Sequence, residues 1–277
     1  MSDNGRNLEL SGARLTWLLT AAGVPSTLQS ISTDPSVYLG PAGYGGSYGS
    51  LCQAVNTAEQ GRFYTAGDGT ITFTSKIDKY TDTASITSQA TFGDLDTISY
   101  SAITVDPASV ETIINSATVS TPEGATATYK DATSVALYGE QSTNLSGVPL
   151  ASSGDCLNLA TYLVGLRAYP ATRVVGLALT PRSDPTNLFP QVLGRQIGDR
   201  ITVNRRITET LAGGSATDNY MSSDVTIEGI RHSIGVDGTW TTTYTTAPAT
   251  PTANEGGYFT ADDAVLSVVD SGVVAAP

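Results

Sequence analysis

The chain has 277 residues, of which 40% are hydrophobic and 14% are charged. This length and composition predict one or two globular domains rather than a disordered chain. Its 26 acidic and 14 basic residues give a formal net charge of -12. Binding to nucleic-acid phosphates requires clustered Lys and Arg that displace counterions. The charge balance therefore excludes specific nucleic-acid binding as the expected function.

The first part of the chain, residues 1–80, is predicted to be a small α+β module. Helical spacing and turn residues predict three elements: a helix from Ser11, its cap, to Ala22, a helix capped by Ser47 or Ser50 and ended by Gly61, and a β-hairpin over Phe63–Thr74. Between the helices lies a glycine-rich loop, GPAGYGGSYGS. Its Tyr44 and Tyr48 are candidate contact residues, and packing of this loop onto its own module is the alternative.

Residues 81–96 are rich in Thr, Ser and Asp and are predicted to be a linker. A barrel-like domain over residues 97–247 follows, because strand patterns dominate there. The predicted strands are Ile98–Val105, Ala117–Ser120, Thr126–Leu137 and Arg173–Leu179. The third strand continues into the segment YKDATSVALYG, which ends at the turn residue Gly139. We interpret Asp131–Gly139 as the last part of the third strand.

One helix is predicted inside this domain, over Ser153–Arg167. Cys156, Leu159, Ala160 and Leu163 recur on one of its faces, and we expect that face to pack on the barrel sheet. After the fourth strand, GRQIGDRITVNRR predicts a hairpin that turns at Gly198-Asp199.

The longest hairpin signal joins Val225–Ile234 to Thr239–Thr246. Its apolar alternation shifts by one place, which predicts a β-bulge at Gly229. Trp240, Thr242 and Tyr244 are expected to share a face, with Trp240 and Tyr244 as core or interface anchors. Residues 248–277 are predicted to be a tether followed by a C-terminal strap over Tyr258–Val274.

The only cluster of basic residues in the sequence consists of Arg195, Arg200, Arg205 and Arg206. We expect them to pair with the surplus carboxylates or with an acidic neighbouring subunit, and they are candidate interface residues.

No residue pattern indicates catalysis or a cofactor. His232 is the single histidine, and no G-x-S-x-G elbow accompanies it. Zinc motifs are absent from the sequence, and the pairs Asp94/Asp96 and Asp262/Asp263 lack the surroundings of a glycosidase or calcium site. We therefore expect neither enzymatic activity nor a cofactor.

Cys52 and Cys156 lie in separate predicted helices and are expected to be buried free thiols, with a pairing between them as the alternative. The apolar segment LTWLLTAAGV is preceded by acidic residues and is short, so neither a signal peptide nor a membrane span is expected. The sequence predicts synthesis in a cytoplasm.

Several segments, in this order, resemble the minor tail or tail-tip hub proteins of long-tailed bacteriophages. They are SGARLTWLLTAAGVP, the hairpin at Glu59–Phe73, YKDATSVALYG, LGRQIGDR, IEGIRHSI before a tryptophan strand, and YFTADDAVLSVVDSG. The resemblance implies an α+β, mainly β fold, in which a tail-tube-like β-barrel hub domain with one packed helix follows the helix-helix-hairpin module.

The same resemblance implies a structural virion protein at the tail tip, a hub or baseplate subunit that forms a ring continuous with the tail tube. It implies a homo-oligomeric ring, a trimer with a hexamer as the alternative, and distal tail, tape-measure and tip or fibre proteins as partners. Members of this family carry a further barrel ahead of SGARLTWLLTAAG, where only ten residues stand here, and a separate chain is one possible source of it.

Two other functions stay open at this point, a carbohydrate- or receptor-binding module at the tail tip and a cell-wall hydrolase. The acidity has two interpretations as well. It could give the ring an acidic bore that repels DNA, or it could keep the subunit soluble before assembly.

Overall fold

A computed structural model describes residues 8–33, 37–41, 46–94, 96–206 and 220–249. Its helices are α1 (Ser11–Ala21), α2 (Tyr48–Glu59), α3 (Asp78–Thr81), α4 (Thr83–Ile86), α5 (Ala132–Tyr138), α6 (Ser153–Arg167) and α7 (Pro185–Gly194). Short 3-10 turns occupy Ser26–Leu28, Val110–Thr112 and Pro181–Ser183. None of the described helices is long and apolar enough to cross a membrane.

The strands in the first half of the chain are β1 (Glu9–Leu10), β2 (Gln29–Ile31), β3 (Tyr38–Leu39), β4 (Arg62–Thr65), β5 (Ile71–Thr74), β6 (Thr91–Gly93) and β7 (Ala102–Asp106). Those that follow are β8 (Ser116–Ser120), β9 (Thr126–Lys130), β10 (Ser142–Leu145), β11 (Arg173–Leu179), β12 (Arg200–Arg206), β13 (Tyr220–Ile234) and β14 (Trp240–Pro248).

The chain folds into two compact units, each made of separate segments. The first contains the described residues of Met1–Lys79 together with Ser109–Pro170. The second contains Tyr80–Ala108 and the described residues that follow Ala171. This division differs from the predicted domain of residues 97–247, because residues 109–170 belong to the same unit as the N-terminal module.

The first unit has one apolar core that both of its segments share. Leu15 and Leu18 of α1, Val55 of α2, and Cys156 and Ala160 of α6 are all buried in it. The segments are also joined through backbone, since the amide of Gly40 donates to the carbonyl oxygen of Pro149 at 3.1 Å. Helix α6 therefore covers the core of the first unit, whereas the sequence led us to expect it on the barrel sheet.

Within this unit, α6 packs on a three-stranded sheet of order β10-β8-β9. Helix α6 begins after Ser152, whose hydroxyl accepts a hydrogen bond from the amide of Asp155. Both its predicted bounds and its buried face are confirmed, although Val164 is more deeply buried than Leu163. Cys52 and Cys156 are buried free thiols, as predicted.

Helix α1 approaches a neighbouring strand so closely that one glycine has no room for a side chain. A Cβ added to Gly12 would lie 2.4 Å from the carbonyl oxygen of Ser32. Gly165 of α6 has nothing within 4 Å of the same position.

We therefore expect Gly12→Ala to destabilise the first unit by about 1–3 kcal/mol, because the backbone must move apart. Gly165→Ala is the matched control and should be neutral or stabilising by up to about 1 kcal/mol, since Ala is the better helix former. Urea unfolding of the two variants measures both values. Equal midpoints would contradict the close packing of α1.

The second unit is built on a six-stranded sheet of order β6-β12-β13-β14-β11-β7. Its buried side chains include Phe92, Leu177, Ile201, Val225 and Tyr244, and Leu188 and Val192 of α7 are buried in the same core. The sheet curls into a half-barrel. Among the described residues β6 and β7 are its edges, so the closed barrel expected from the resemblance is not seen.

Several predicted elements are confirmed. They are the second helix with its Ser47 cap, the hairpin of β4 and β5, the strand Arg173–Leu179, and the hairpin of β13 and β14 with its register shift between Ile227 and Gly229. The first helix is also present, but Leu10 occupies its cap position, and the hydroxyl of Ser11 donates to Glu59 at 2.8 Å.

Three predictions of local structure are wrong. Asp131–Gly139 is not a strand, because Asp131 caps α5 by accepting from the amide of Ser134. The hairpin predicted over GRQIGDRITVNRR is not formed, because Gly194 ends helix α7 and residues 195–199 contain no strand before β12. The predicted linker 81–96 contains β6, which adds to the edge of the large sheet by pairing in parallel with β12.

Candidate assembly surface

The hairpin of β13 and β14 continues past the strands that flank it. Strand β12 pairs with β13 as far as Thr226, and β11 pairs with β14 from Thr242 onward. The residues between, Arg231–Thr241, are here called the hairpin end. In the described part of the chain, these residues pair only within the hairpin of β13 and β14.

Local hydrogen bonds fix the turn of the hairpin end. The carboxylate of Asp237 accepts from the amide and the hydroxyl of Thr239, at 2.9 and 2.7 Å. These bonds hold the pKa of Asp237 below its usual range, and the nearby charge of Arg182 contributes. Gly238 takes a φ of 79°, which glycine adopts without strain. The turn is therefore defined although it is exposed.

Trp240 lies at the base of the hairpin end and is half-buried. Its ring makes edge contacts with Phe189 of α7, at a centroid distance of 5.3 Å, and with His232, at 5.9 Å. Its Nε1 atom is buried and has no hydrogen-bond acceptor among the described residues. Trp240, predicted to be a core or interface anchor, is therefore partly buried against α7 and partly accessible.

The hairpin end also exposes large apolar side chains. Ile234 is 64% exposed and Val236 is fully exposed. Ile234 pairs with Trp240 across the hairpin, so their side chains are neighbours on one face. The hairpin end therefore presents apolar side chains to solvent.

Tyr244, the second predicted anchor, is a core residue and is not accessible in this structure. It is fully buried, and its ring meets Phe92 edge-on at 6.4 Å. Its hydroxyl donates to the carbonyl oxygen of Gln191 at 2.9 Å. Burial raises the pKa of Tyr244, so its hydroxyl is protonated near neutral pH.

The predicted arginine cluster divides into paired and exposed members. Arg195 meets Asp199 at 3.4 Å, and the buried Arg200 meets Asp224 at 2.6 Å. Burial raises the pKa of Asp199, against the opposing effects of its hydrogen bond with Gln196 and the charge of Arg195. The side chains of Arg205 and Arg206 are exposed, which leaves those two as candidates for contact with an acidic neighbour.

The tyrosines of the glycine-rich loop belong to the other unit. Tyr48 is the first residue of α2 and is 45% exposed. Tyr44 lies outside the described residues, as does the predicted strap Tyr258–Val274. The candidate contact residues therefore do not form one patch within one unit.

One face of the large sheet carries small side chains and is here called the threonine face. Its members lie in two rows across β7, β11 and β14, namely Ala102, Ala178 and Thr243 in one row and Thr104, Gly176 and Thr245 in the other. Thr243, Thr245 and Thr104 are exposed, whereas the alternate residues Leu177 and Tyr244 point into the core. None of these six residues is charged.

His232 is exposed, and its Nδ1 atom lies 2.9 Å from the hydroxyl oxygen of Thr242. Within the described ranges, no three or more His, Cys, Asp or Glu side chains are grouped so that they could hold a metal ion.

Sequence reasoning missed Phe189, Ile234 and Val236 as surface or anchor residues. Phe189 was missed because no helix was predicted for the segment that forms α7. Ile234 and Val236 could have been found, because Val236 begins the turn sequence VDGT at the tip of a hairpin whose arms were correctly predicted.

Two solved structures are similar to this chain. A tail protein from Neisseria meningitidis MC58 is 11% identical with a TM-score of 0.56, and the match covers 87% of this chain and 67% of that one. The 43 kDa tail protein of prophage MuSo2 from Shewanella oneidensis is 12% identical with a TM-score of 0.53, covering 88% and 64%. The chain has the fold of phage tail proteins.

This likeness confirms the resemblance found in the sequence at the level of the fold. The chain spans about two-thirds of the length of each of these tail proteins. No protein-family model matches the chain, and no curated protein matches it.

Proposed function

We propose that this chain is a structural subunit of a phage tail tip, a hub or baseplate component whose ring is continuous with the tail tube and connects it to tip or receptor-binding proteins. The fold shared with two tail proteins is the observation that carries this proposal. A structural role also agrees with the chemistry of the buried polar groups. The hydroxyl of Tyr244 and the ion pair of Arg200 with Asp224, for example, stabilise the fold.

The proposed ring consists of copies of this chain, three by the resemblance, with six as the alternative. Copies with a net charge of -12 repel each other, so they must meet through surfaces that are not acidic. The hairpin end has one Arg and one Asp and is therefore neutral, and it exposes Ile234 and Val236. We propose that it docks on a second copy of the chain.

The threonine face is the proposed channel wall of this ring. Apart from Arg231, which extends one row onto β13, its small uncharged side chains present nothing that would hold the phosphates of a passing genome. Its lack of carboxylates supports solubility, rather than an acidic bore, as the reason for the overall acidity. Distal tail, tape-measure and tip or fibre proteins are the proposed neighbours along the tail axis.

Immunogold electron microscopy tests the proposed location. Antibodies against this chain, applied to virions from the host that expresses it, should label the distal end of the tail. Virions without label, from a preparation in which a major tail protein is labelled, would overturn a structural role. Label on the head or along the whole tail would overturn the tip position.

We expect Val236→Asp to block assembly and leave the folded subunit intact. The side chain is fully exposed, so the free energy of unfolding should change by less than about 0.5 kcal/mol, whereas a buried carboxylate in the contact should prevent docking. Quantitative immunoblots of purified tails measure incorporation. Val110→Asp, at another exposed valine, is the control and should assemble normally. Normal incorporation of Val236→Asp would contradict docking through the hairpin end.

A further inference from the structure

The outward face of the three-stranded sheet in the first unit has a polar depression of about 500 Å³. Two rows of side chains cross it. The strand register places Lys130, Ser116 and Ser142 in one row and Thr128, Thr118 and Asn144 in the other. The depression is open to solvent, so a ligand in it would remain partly exposed.

The floor of this depression is held rigid from behind. Ala117 and Val119 alternate with the polar residues of β8 and are completely buried against the core. Cys156 and Ala160 of α6 are buried in the same core. The backbone of the strands that carry the polar groups is therefore held in place by the core behind it.

The charges in the depression cancel. The Nζ atom of Lys130 lies 2.7 Å from Oε1 of Glu140. Hydrogen bonds from Lys130 and then from Ser116 hold the pKa of Glu140 below its usual range, so the carboxylate is ionised at neutral pH. Because the only cation among the lining residues is already paired, a phosphate would find no free positive charge.

The remaining lining groups are hydroxyls and an amide, and none of the lining residues is aromatic or aliphatic. The hydroxyl oxygens of Thr118 and Thr128 are 2.8 Å apart. Asn144 is exposed on the edge strand β10, and its amide has both donors and an acceptor. These groups suit a ligand with many hydroxyls and no net charge.

We propose that this polar depression is a binding site for a neutral sugar, the size of a monosaccharide or disaccharide. Adjacent sugar hydroxyls can donate to Glu140 and accept from Lys130, and Asn144 can do both with one pair of hydroxyls. Without an aromatic platform, the dissociation constant should be roughly 1 mM. The site lies in the first unit and does not depend on the proposed role in a tail.

Heteronuclear NMR of the full chain tests the site, with a panel of neutral mono- and disaccharides and with inorganic phosphate as the charged comparison. At least one sugar should shift the amides of β8, β9 and β10 in a saturable way, while phosphate should not. Glu140→Gln and Asn144→Leu should each weaken the binding about tenfold, and their spectra report whether they fold. Thr161→Val, on the exposed face of α6, is the control and should bind like the native chain.

Three results would overturn the proposal. One is the absence of saturable shifts with every sugar, at concentrations roughly fifty times the expected dissociation constant. The second is shifts that are saturable but confined to other strands. The third is phosphate binding at the depression more tightly than any sugar.

Discussion

Tyr244→Ala should lower the free energy of unfolding of the second unit by about 3–5 kcal/mol, the range for removing a large aromatic side chain from a core. The side chain is fully buried, contacts Phe92 and donates a hydrogen bond to the carbonyl oxygen of Gln191. The substitution leaves a cavity between the sheet and α7. Chemical denaturation followed by circular dichroism measures the change.

Tyr244→Phe is the matched control, because it keeps the ring and removes only the hydroxyl. It should cost about 1 kcal/mol, the usual contribution of one hydrogen bond.

The stability of the native chain should also depend on pH through Tyr244. Because the folded pKa of Tyr244 is raised, the contribution of its protonated hydroxyl to stability is complete below the unfolded pKa of about 10 and is lost as the pH rises above that value. The phenylalanine variant should lose less stability than the native chain in that alkaline range. An alanine variant as stable as the phenylalanine variant would contradict the packing described.

Asn115→Ala should destabilise the first unit by about 2–4 kcal/mol, since each buried group left without a partner costs about 1–3 kcal/mol. Asn115 is fully buried. Its side-chain oxygen accepts from the amide of Gln141 at 2.7 Å, and its side-chain nitrogen donates to the carbonyl oxygen of Gly139 at 2.8 Å. Asn115 thereby fixes the segment that leads from α5 into β10.

The control for this variant is Asn144→Ala, which removes an exposed asparagine from the same sheet. Its free energy of unfolding should be within about 0.5 kcal/mol of the native value. Thermal unfolding of both variants by calorimetry compares them. If Asn115→Ala unfolds at the native temperature, the described hydrogen bonds do not hold this connection.

The sequence predicted elements best where a strong local pattern coincided with a local cap or turn. Helix α6 shows this, since the Ser152 hydroxyl and the apolar spacing from Cys156 onward both indicate the same bounds. The hairpin of β13 and β14 was predicted from the apolar alternation of its two arms. Local rules and the final structure agree in both segments.

Predictions failed where a local hydrogen bond competed with the strand pattern and where the outcome depended on partners distant in sequence. Asp131 was interpreted as part of a strand, but its carboxylate caps α5, a competition between local hydrogen bonds that residue propensity does not decide. Strand β6 was hidden in a polar segment because it pairs with β12, more than a hundred residues later. Residues 109–170 belong to the first unit because of contacts such as the backbone hydrogen bond between Gly40 and Pro149. No local sequence pattern predicts a contact of this kind.

The residues of the candidate surface were likewise predictable where a local pattern indicated them and not where distant partners decide their environment. Trp240 could be selected from its strand neighbours, whereas the burial of Tyr244 and the pairing of Arg200 with Asp224 depend on how the sheet curls. The polar depression on the first unit could not be predicted at all. Its rows form only when β10, β8 and β9 lie side by side, with β10 parallel to β8 and β9 antiparallel to it.

Electron cryomicroscopy of the tail tip, in particles that contain this chain, tests the central proposal most directly. We predict a closed ring of three or six copies, with the threonine face toward the channel and the hairpin end of each copy against its neighbour. A tip in which this chain is absent from the ring around the channel, or is attached singly to the outer wall, would contradict the proposal.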